Sequence, residues 1–451
     1  MSAQTISADG IIATPEVTAN KDVLLRRAAF ASFIGTFVEW FDYAVYGFLA
    51  TVIAVVFFPA TDARSGLLAA YAIFALSFIV RPIGGIIWGH FGDKIGRKTT
   101  LSLSIFIMSI ATFVIAFLPT YEAVGLLAPA LLLLTRLVQG FAASGEYAGA
   151  ASFLAEYAPD KKRGFFTCLV PAGEAAGLLA ASLFVAVLYA VLTEAQLHSW
   201  GWRIPFLLAL PLGFVGVFIR RQLDETPQFK ALEDDHHVPA APIRELLSNH
   251  MPQVLIAFGG TLLNAVGFYL ILIYMPTYLA TELGVDKQAA FIGSTVALLA
   301  YLGSIFLMGR LSDRFGRRTM LMACSGLFAI CAIPMFYVLG TFEYNGMASA
   351  SYIGILVVWA LFGVLLSMNG GTLPTFLCEL FPTRVRFSGF ALSFNSANAL
   401  FGGTAPLVAA WVGGIVSSTL APAWFLTGAA IATFLSIMLS RAGHAGAKLE
   451  D

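Results

Sequence analysis

Long apolar runs alternate with short charged turns along almost the whole chain. Twelve runs come near or exceed the ~20 residues that a helix needs to cross the hydrocarbon of a bilayer. They lie near 30–58, 67–91, 99–118, 128–155, 165–192, 204–219, 252–280, 289–309, 319–340, 350–378, 387–416 and 422–440. The longest polar interruption, 220–251, divides six runs from six. The pattern predicts an all-α membrane protein of twelve transmembrane helices in two six-helix halves, 28–219 and 252–440. Outside the halves it predicts a disordered cytoplasmic tail at 1–27, a cytoplasmic central loop at 220–251 and a short cytoplasmic tail at 441–451.

Composition agrees: 59% of residues are hydrophobic and 12% charged, against about 25% charged in a soluble domain. With both termini inside, all but five of the 26 Lys and Arg fall on the cytoplasmic side. Arg64, Arg203 and Lys287 lie opposite, and Arg81 and Arg136 lie within spans. The inverted topology would break the positive-inside rule. Residues 1–27 hold no apolar core of the kind that a cleaved leader needs. The expected location is therefore a membrane crossed many times with both termini cytoplasmic, and the lipid bilayer as surroundings. Net charge is zero, which offers no basic surface for nucleic acid. The four cysteines sit in apolar runs without a C-x-x-C pair and read as packing residues. His236 and His237 belong to a solvated charge run, and no metal site is expected.

Two turns carry the same motif. Gly89-His90-Phe91-Gly92-Asp93-Lys94-Ile95-Gly96-Arg97-Lys98 returns in the second half as Gly309-Arg310-Leu311-Ser312-Asp313-Arg314-Phe315-Gly316-Arg317-Arg318. Glycines permit a tight turn at the membrane surface. The aspartate can pair with arginine or face a helix N-terminus. Gly89, Asp93, Gly96, Arg97, Asp313, Gly316 and Arg317 are thus the expected gating elements. A second repeat, Glu156-Tyr157-Ala158-Pro159 with Arg163 and Glu379-Leu380-Phe381-Pro382 with Arg386, follows spans four and ten. Paired halves of this kind are a transporter architecture, with the solute site between them near the midplane.

The doubled loop, the six-plus-six layout and the long central loop resemble the major facilitator superfamily. Gly35-Thr36-Phe37-Val38-Glu39-Trp40-Phe41-Asp42-Tyr43, Arg136-Leu137-Val138-Gln139-Gly140, Gly145-Glu146-Tyr147 and Trp200-Gly201-Trp202-Arg203 resemble its metabolite:proton symporter family. So does Arg220-Arg221-Gln222-Leu223-Asp224-Glu225-Thr226. The resemblance implies the major facilitator fold, a small-molecule substrate, a proton as coupling ion with no other cofactor, and function as a monomer. Phe153-Leu154-Ala155-Glu156 and Tyr274-Met275-Pro276-Thr277 look most like the proline/betaine branch.

An ionised side chain at mid-bilayer costs ~2.5–3.5 kcal/mol or more, so each needs a reason. At ~1.5 Å per residue, Glu39, Asp42, Arg81, Glu146 and Glu174 all come out roughly 13–18 Å from the cytoplasmic end of their spans. Arg136 stands further out. Four acids against two bases leave an excess of two negative charges. Like charges in low dielectric resist joint ionisation, so at least one carboxyl is protonated for part of a cycle. Glu39, Asp42, Arg136, Glu146 and Glu174 are the expected proton-coupling set; the role of Arg136 also follows from the resemblance. Glu39 or Asp42 as a fixed partner of Arg81 is the plainer alternative.

The C-terminal half offers neutral groups: Asn264, Asn369, Asn395 and Asn398, with Tyr269, Tyr274 and Tyr301. Aromatic faces attract substituted ammonium groups, and arginine takes carboxylates. Trp40, Tyr43, Arg81, Asn264, Tyr269, Asn369 and Asn395 are the expected substrate-binding set, suited to a zwitterion such as proline or betaine. A di- or tricarboxylate or shikimate is the alternative, with Arg81 and Arg136 as anion clamp. The chain lacks P-loop, dinucleotide, zinc-protease and serine-hydrolase motifs, which argues against an enzyme. A transport-inactive membrane sensor is a remote alternative.

Overall fold

The computed structural model describes residues 15–59, 63–234, 241–416, 419–443 and 449. Residues 1–14, His236 and His237 lie outside them. Among the described residues the secondary structure is helical, following the apolar runs. The first element, α1, is Pro15–Phe48, continued after a 66° bend as Ala50–Phe57. Nine single helices follow, each long and apolar enough to cross a bilayer. They are α2 (Ser65–Ile95), α3 (Arg97–Ile115), α4 (Leu127–Tyr157), α5 (Asp160–Val191), α6 (Arg203–Arg221), α7 (Met251–Glu282), α8 (Gln288–Phe315), α9 (Arg317–Thr341) and α10 (Ala350–Leu380). The eleventh, α11, is broken: Arg386–Ala397, a π turn at Asn398–Gly402, then Ala405–Val416. α12 is Ala421–Leu439.

The structure departs from expectation in three places. α1 begins at Pro15, inside the stretch read as disordered tail. Proline suits a first helical turn, where its missing N–H costs nothing. The central loop contains two short helices, Pro227–Asp234 and Pro242–Asn249, each opened by proline. The run 387–416 carries no charged residue, yet Gly402-Gly403-Thr404-Ala405-Pro406 interrupts its hydrogen-bond ladder.

Large apolar side chains such as Leu68, Ile79, Phe218, Ile330 and Leu407 cover the outside of the bundle. A face of that composition matches hydrocarbon, not water. α7 has 78% of its apolar window buried, so it stands inside, and α1 is likewise buried over most of 31–46. The two halves meet where glycines let backbones approach. On α2 against α11, a Cβ at Gly89 would lie 2.6 Å from Ser388 Cα. On α8 against α5, a Cβ at Gly309 would lie 2.7 Å from the Gly164 carbonyl oxygen. The first glycine of each motif therefore serves helix contact between halves, not a turn. The turn is made by Gly96 and Gly316, at φ 101° and 90°, a conformation that glycine tolerates best.

Candidate functional site: a double lock and a buried polar interface

The two motif turns sit at the same end of the bundle and lock the halves together. Asp93 accepts the backbone N–H groups of Phe387 and Ser388, at 3.2 and 2.8 Å, on the first turn of α11. Asp313 accepts those of Gly164 and Phe165, at 2.8 and 3.0 Å, near the start of α5. A carboxylate on a helix N-terminus gains from unsatisfied donors and from the dipole together. Arg97 pairs with Asp93 at 3.1 Å and Arg317 with Asp313 at 2.9 Å. Each arginine also meets a glutamate at the end of α4 or α10: Arg97 with Glu156 at 3.3 Å, Arg317 with Glu379 at 3.2 Å. Each glutamate takes a second arginine from the opposite half, Arg386 on Glu156 at 2.9 Å and Arg163 on Glu379 at 3.0 Å. The network is duplicated as the sequence is. Glu156, Glu379, Arg163 and Arg386 were visible as a repeat but not as lock residues.

Each lock has a cap. The Glu225 carboxylate accepts the Lys98 N–H at 3.0 Å, and Phe229 lies 5.1 Å from the Arg97 guanidinium. In the other half the Gly443 carbonyl accepts the Arg318 N–H at 2.9 Å. The segments leaving α6 and α12 thus cover equivalent positions on α3 and α9.

Further along the bundle lie the charges expected at mid-membrane, and all are buried. Glu39, Asp42 and Glu146 are each 1% exposed, Arg81 4%, Arg136 0% and Glu174 6%. They face the interior and not the lipid. They divide into three arrangements. Glu39 touches Arg81 by one contact, Oε1 to Nη2 at 3.1 Å, while Glu39 Oε2 and Arg81 Nε have no hydrogen-bond partner. The Arg81 guanidinium is held between the rings of Tyr43 and Phe78, at 4.6 and 4.5 Å. Asp42 is reached by a chain of donors. Arg136 donates to the Gln139 Oε1 at 2.5 Å, the Gln139 amide donates to Thr112, and Thr112 donates to Asp42 at 2.7 Å. Arg136 thus joins Asp42 through two side chains, with its cation over Tyr43 and Tyr46 at 4.7 and 4.3 Å.

The third arrangement was not foreseen. Glu146 forms a two-pronged pair with Arg220 of α6, one prong being Nη1 to Oε2 at 2.9 Å. Arg220 also donates to the Leu101 carbonyl at 2.9 Å. In the sequence Arg220 opens the polar stretch 220–251 and reads as part of the central loop. Its side chain instead runs back along α6 into the bundle, as long cationic side chains do in reverse when they snorkel outward. The site therefore holds four carboxyls and three guanidinium groups, one excess negative charge instead of two. Glu174, like Asp42, makes no direct guanidinium contact among the described residues, and it lies near the Trp40 indole. Gly173 and Gly177 on either side of it press against the α1 backbone, which fixes the direction of Glu174.

Aromatic rings from both halves close around these charges. Trp40 meets Phe268 at 4.8 Å and Tyr269 at 6.2 Å, and Phe78 meets Tyr269 at 5.7 Å. Tyr147 stacks on Phe394 at 4.3 Å. The hydroxyls of Tyr147 and Tyr301 and the amide of Asn369 are buried without a hydrogen-bond partner. Buried polar groups left unpaired mark places where a ligand, water or a second conformation would satisfy them. Of the expected binding amides, Asn395 instead donates to Ser144 and Ala391 carbonyls, each at 2.8 Å, tying α11 to α4. Asn398 donates to Phe394 of its own helix at 3.0 Å. Asn264 is buried on α7, and Tyr274 stands at the end of the α7 π turn.

Comparison with known proteins agrees with this geometry. The family model described as Major Facilitator Superfamily matches residues 32–406, with a second match over 257–446. The glycine betaine/proline/ectoine/pipecolic acid transporter OusA of Dickeya dadantii is 37% identical over 427 residues, 92% of this chain and 83% of that protein. The proline/betaine transporter of Escherichia coli K12 is 36% identical over 423 residues, 91% of this chain and 82% of that protein. A putative proline/betaine transporter of Staphylococcus haemolyticus is 36% identical over 429 residues, covering 94% and 89%. Among solved structures, the proton:xylose symporter XylE bound to 6-bromo-6-deoxy-D-glucose superimposes with a TM-score of 0.80 at 16% identity, over 95% of this chain and 98% of that one. At that identity the likeness concerns the fold alone.

Proposed function

The chain belongs to the major facilitator superfamily, a family of transporters and not of enzymes, and from that membership and the polar interface we propose that it imports a small zwitterion of the proline or betaine kind together with a proton. The observation that carries this reading is the interface itself. It offers a guanidinium between aromatic rings, an unpaired carboxyl beside a tryptophan, and unpaired hydroxyls from both halves. A carboxylate on Arg81 and a substituted ammonium near Glu174 and Trp40 would satisfy both ends of one solute. That relatives sharing over a third of their residues with this chain are proline and betaine transporters supports the same solute class.

The coupling proton is carried on carboxyls that have no fully engaged cation: Glu39, Asp42 and Glu174. Glu146 is held by Arg220 and is structural in this reading. Transport proceeds by rocking of one half against the other about the buried site. The lock end faces the cytoplasm of a bacterial inner membrane, as the distribution of Lys and Arg requires. In the state described here the double lock closes that end.

Uptake into right-side-out or reconstituted vesicles tests the reading. Labelled proline and glycine betaine are expected to accumulate under an inward proton gradient and to stop accumulating when it is collapsed. Accumulation of citrate, α-ketoglutarate or shikimate with neither zwitterion transported would overturn it.

A further inference from the structure

Two buried ion pairs stand near each other in the site, and they are built differently. Glu146 and Arg220 engage through two prongs, and Arg220 spends a further donor on a backbone carbonyl. Glu39 and Arg81 share one contact, and each keeps an unpartnered polar atom: the second oxygen of Glu39 and Nε of Arg81. Arginine forms its strongest carboxylate contacts through paired parallel bonds. Arg81 is therefore under-used by Glu39, while Tyr43 and Phe78 hold its plane in place. An incoming carboxylate that forms paired bonds with Arg81 would therefore outcompete the single contact of Glu39.

We infer that the substrate carboxylate replaces Glu39 on Arg81, and that Glu39, once released, takes up the coupling proton. This deepens the zwitterion reading above and rests on it. The charge balance is simple. A neutral zwitterion and one proton enter; the substrate carboxylate neutralises Arg81, and the proton neutralises Glu39. On release, the carboxylate leaves Arg81, the Glu39 O–H bond breaks, the proton departs to solvent, and the ion pair closes again.

The surroundings of Glu39 explain why the freed group does not stay ionised. Arg81 on α2 is the nearest cation. Asp42 on its own helix, Glu146 and Tyr147 on α4, Glu174 on α5 and Tyr269 on α7 also act on it. Once substrate occupies Arg81, Arg220 holds Glu146 and the solute ammonium faces Glu174, so the neighbour of Glu39 left without a direct counter-charge is the acid Asp42. A carboxylate buried at 1% exposure among acids is the costly form. Coupling then needs no separate sensor: a substrate carboxylate that engages Arg81 by paired bonds displaces the single contact of Glu39 and leaves that acid without its cation, so substrate and proton arrive together.

The test is substrate-induced proton uptake by purified full-length protein in weakly buffered detergent solution, followed with a pH indicator, beside affinity measured across pH. Glycine betaine and proline are the probes. The wild type is expected to take up about one proton per solute bound. Its Kd should weaken about tenfold per pH unit where the free site is deprotonated, as one-proton linkage requires. Glu39→Gln should bind at least as tightly, release or take up no proton, and show a Kd that is flat with pH. Its vesicles should exchange labelled solute but not accumulate it. A Glu39→Gln protein that still takes up a proton, or that keeps its melting temperature yet fails to bind, overturns the exchange. Glu39→Asp covers the case in which the glutamine variant does not fold. The shorter acid should compete less for Arg81, so solute binds severalfold tighter with proton uptake kept; weaker binding overturns the exchange. A wild type that binds neither zwitterion removes the proposed function and the exchange with it, whereas normal wild-type binding with uptake unaffected by Glu39 removes the exchange alone.

Discussion

Cutting the Glu146–Arg220 pair from either side separates a structural ion pair from a proton carrier. Both side chains are buried, at 1% and 3% exposure, and they join α4 to the end of α6. Unit charges ~3 Å apart attract by about 5 kcal/mol at an effective dielectric of ~20, and their desolvation opposes most of that. What survives on deletion of one partner is an unpaired charge inside the bundle, which costs about 3–5 kcal/mol. Arg220→Met and Glu146→Leu should each lower unfolding stability by roughly that amount. The double variant should recover most of the loss, because two apolar groups leave no charge to compensate. Reversible denaturant unfolding in micelles gives the cycle. Vesicle uptake across pH gives the second readout: Glu146→Gln should lose stability while its surviving activity keeps the wild-type pH response. If Glu146→Gln were as stable as wild type and its uptake no longer responded to pH, Glu146 would be a proton carrier and the reasoning from pairing would fail.

Two further outcomes are expected. Asp313→Asn weakens two charge-assisted bonds to the start of α5, each worth ~1.5–3 kcal/mol. Cys168, buried where α5 meets Gly309, should then react with a small maleimide roughly tenfold faster or more in a protein whose other cysteines are replaced; an unchanged rate would mean that Asp313 does not hold the halves together. Burial raises the Glu225 carboxyl above its ordinary range, against bonds from Thr226 and Lys98 that lower it. A carboxyl raised in the folded state contributes stability in full below its unfolded pKa of ~4.3, and the contribution is lost as pH rises through the folded value. The melting-temperature advantage of wild type over Glu225→Gln should therefore shrink as pH rises above about 4, and an advantage that grows with pH there contradicts the assignment.

Much of this architecture is legible in the chain, and the exceptions have physical causes. Apolar runs mark spans because only lipid-facing and helix-facing carbon satisfies a bilayer, and hydropathy sums over both. The same sum hides the break in α11, where Gly402 and Gly403 count as neutral and Pro406 as one residue among many. The charges Glu39, Asp42, Arg81, Arg136 and Glu174 stand out because their depth can be counted along single helices. Their partners cannot be counted. Arg220 lies 74 positions from Glu146 in the chain, at a helix end where a basic residue already has a topological explanation. Glu156 and Glu379 announce themselves as a repeat, but each binds arginines of both halves, and no pattern within one half states that. The motif glycines show the same gap: Gly89 and Gly309 look like turn formers and act as contact points between halves.

In the proposed rocking motion each half moves as a body, so the two aspartate clasps are undone together and not one after the other. The passage at that end is consequently a binary device with its holding energy split between twins. Disabling either twin would leave a gate at partial strength that springs open too readily, and disabling both would leave none.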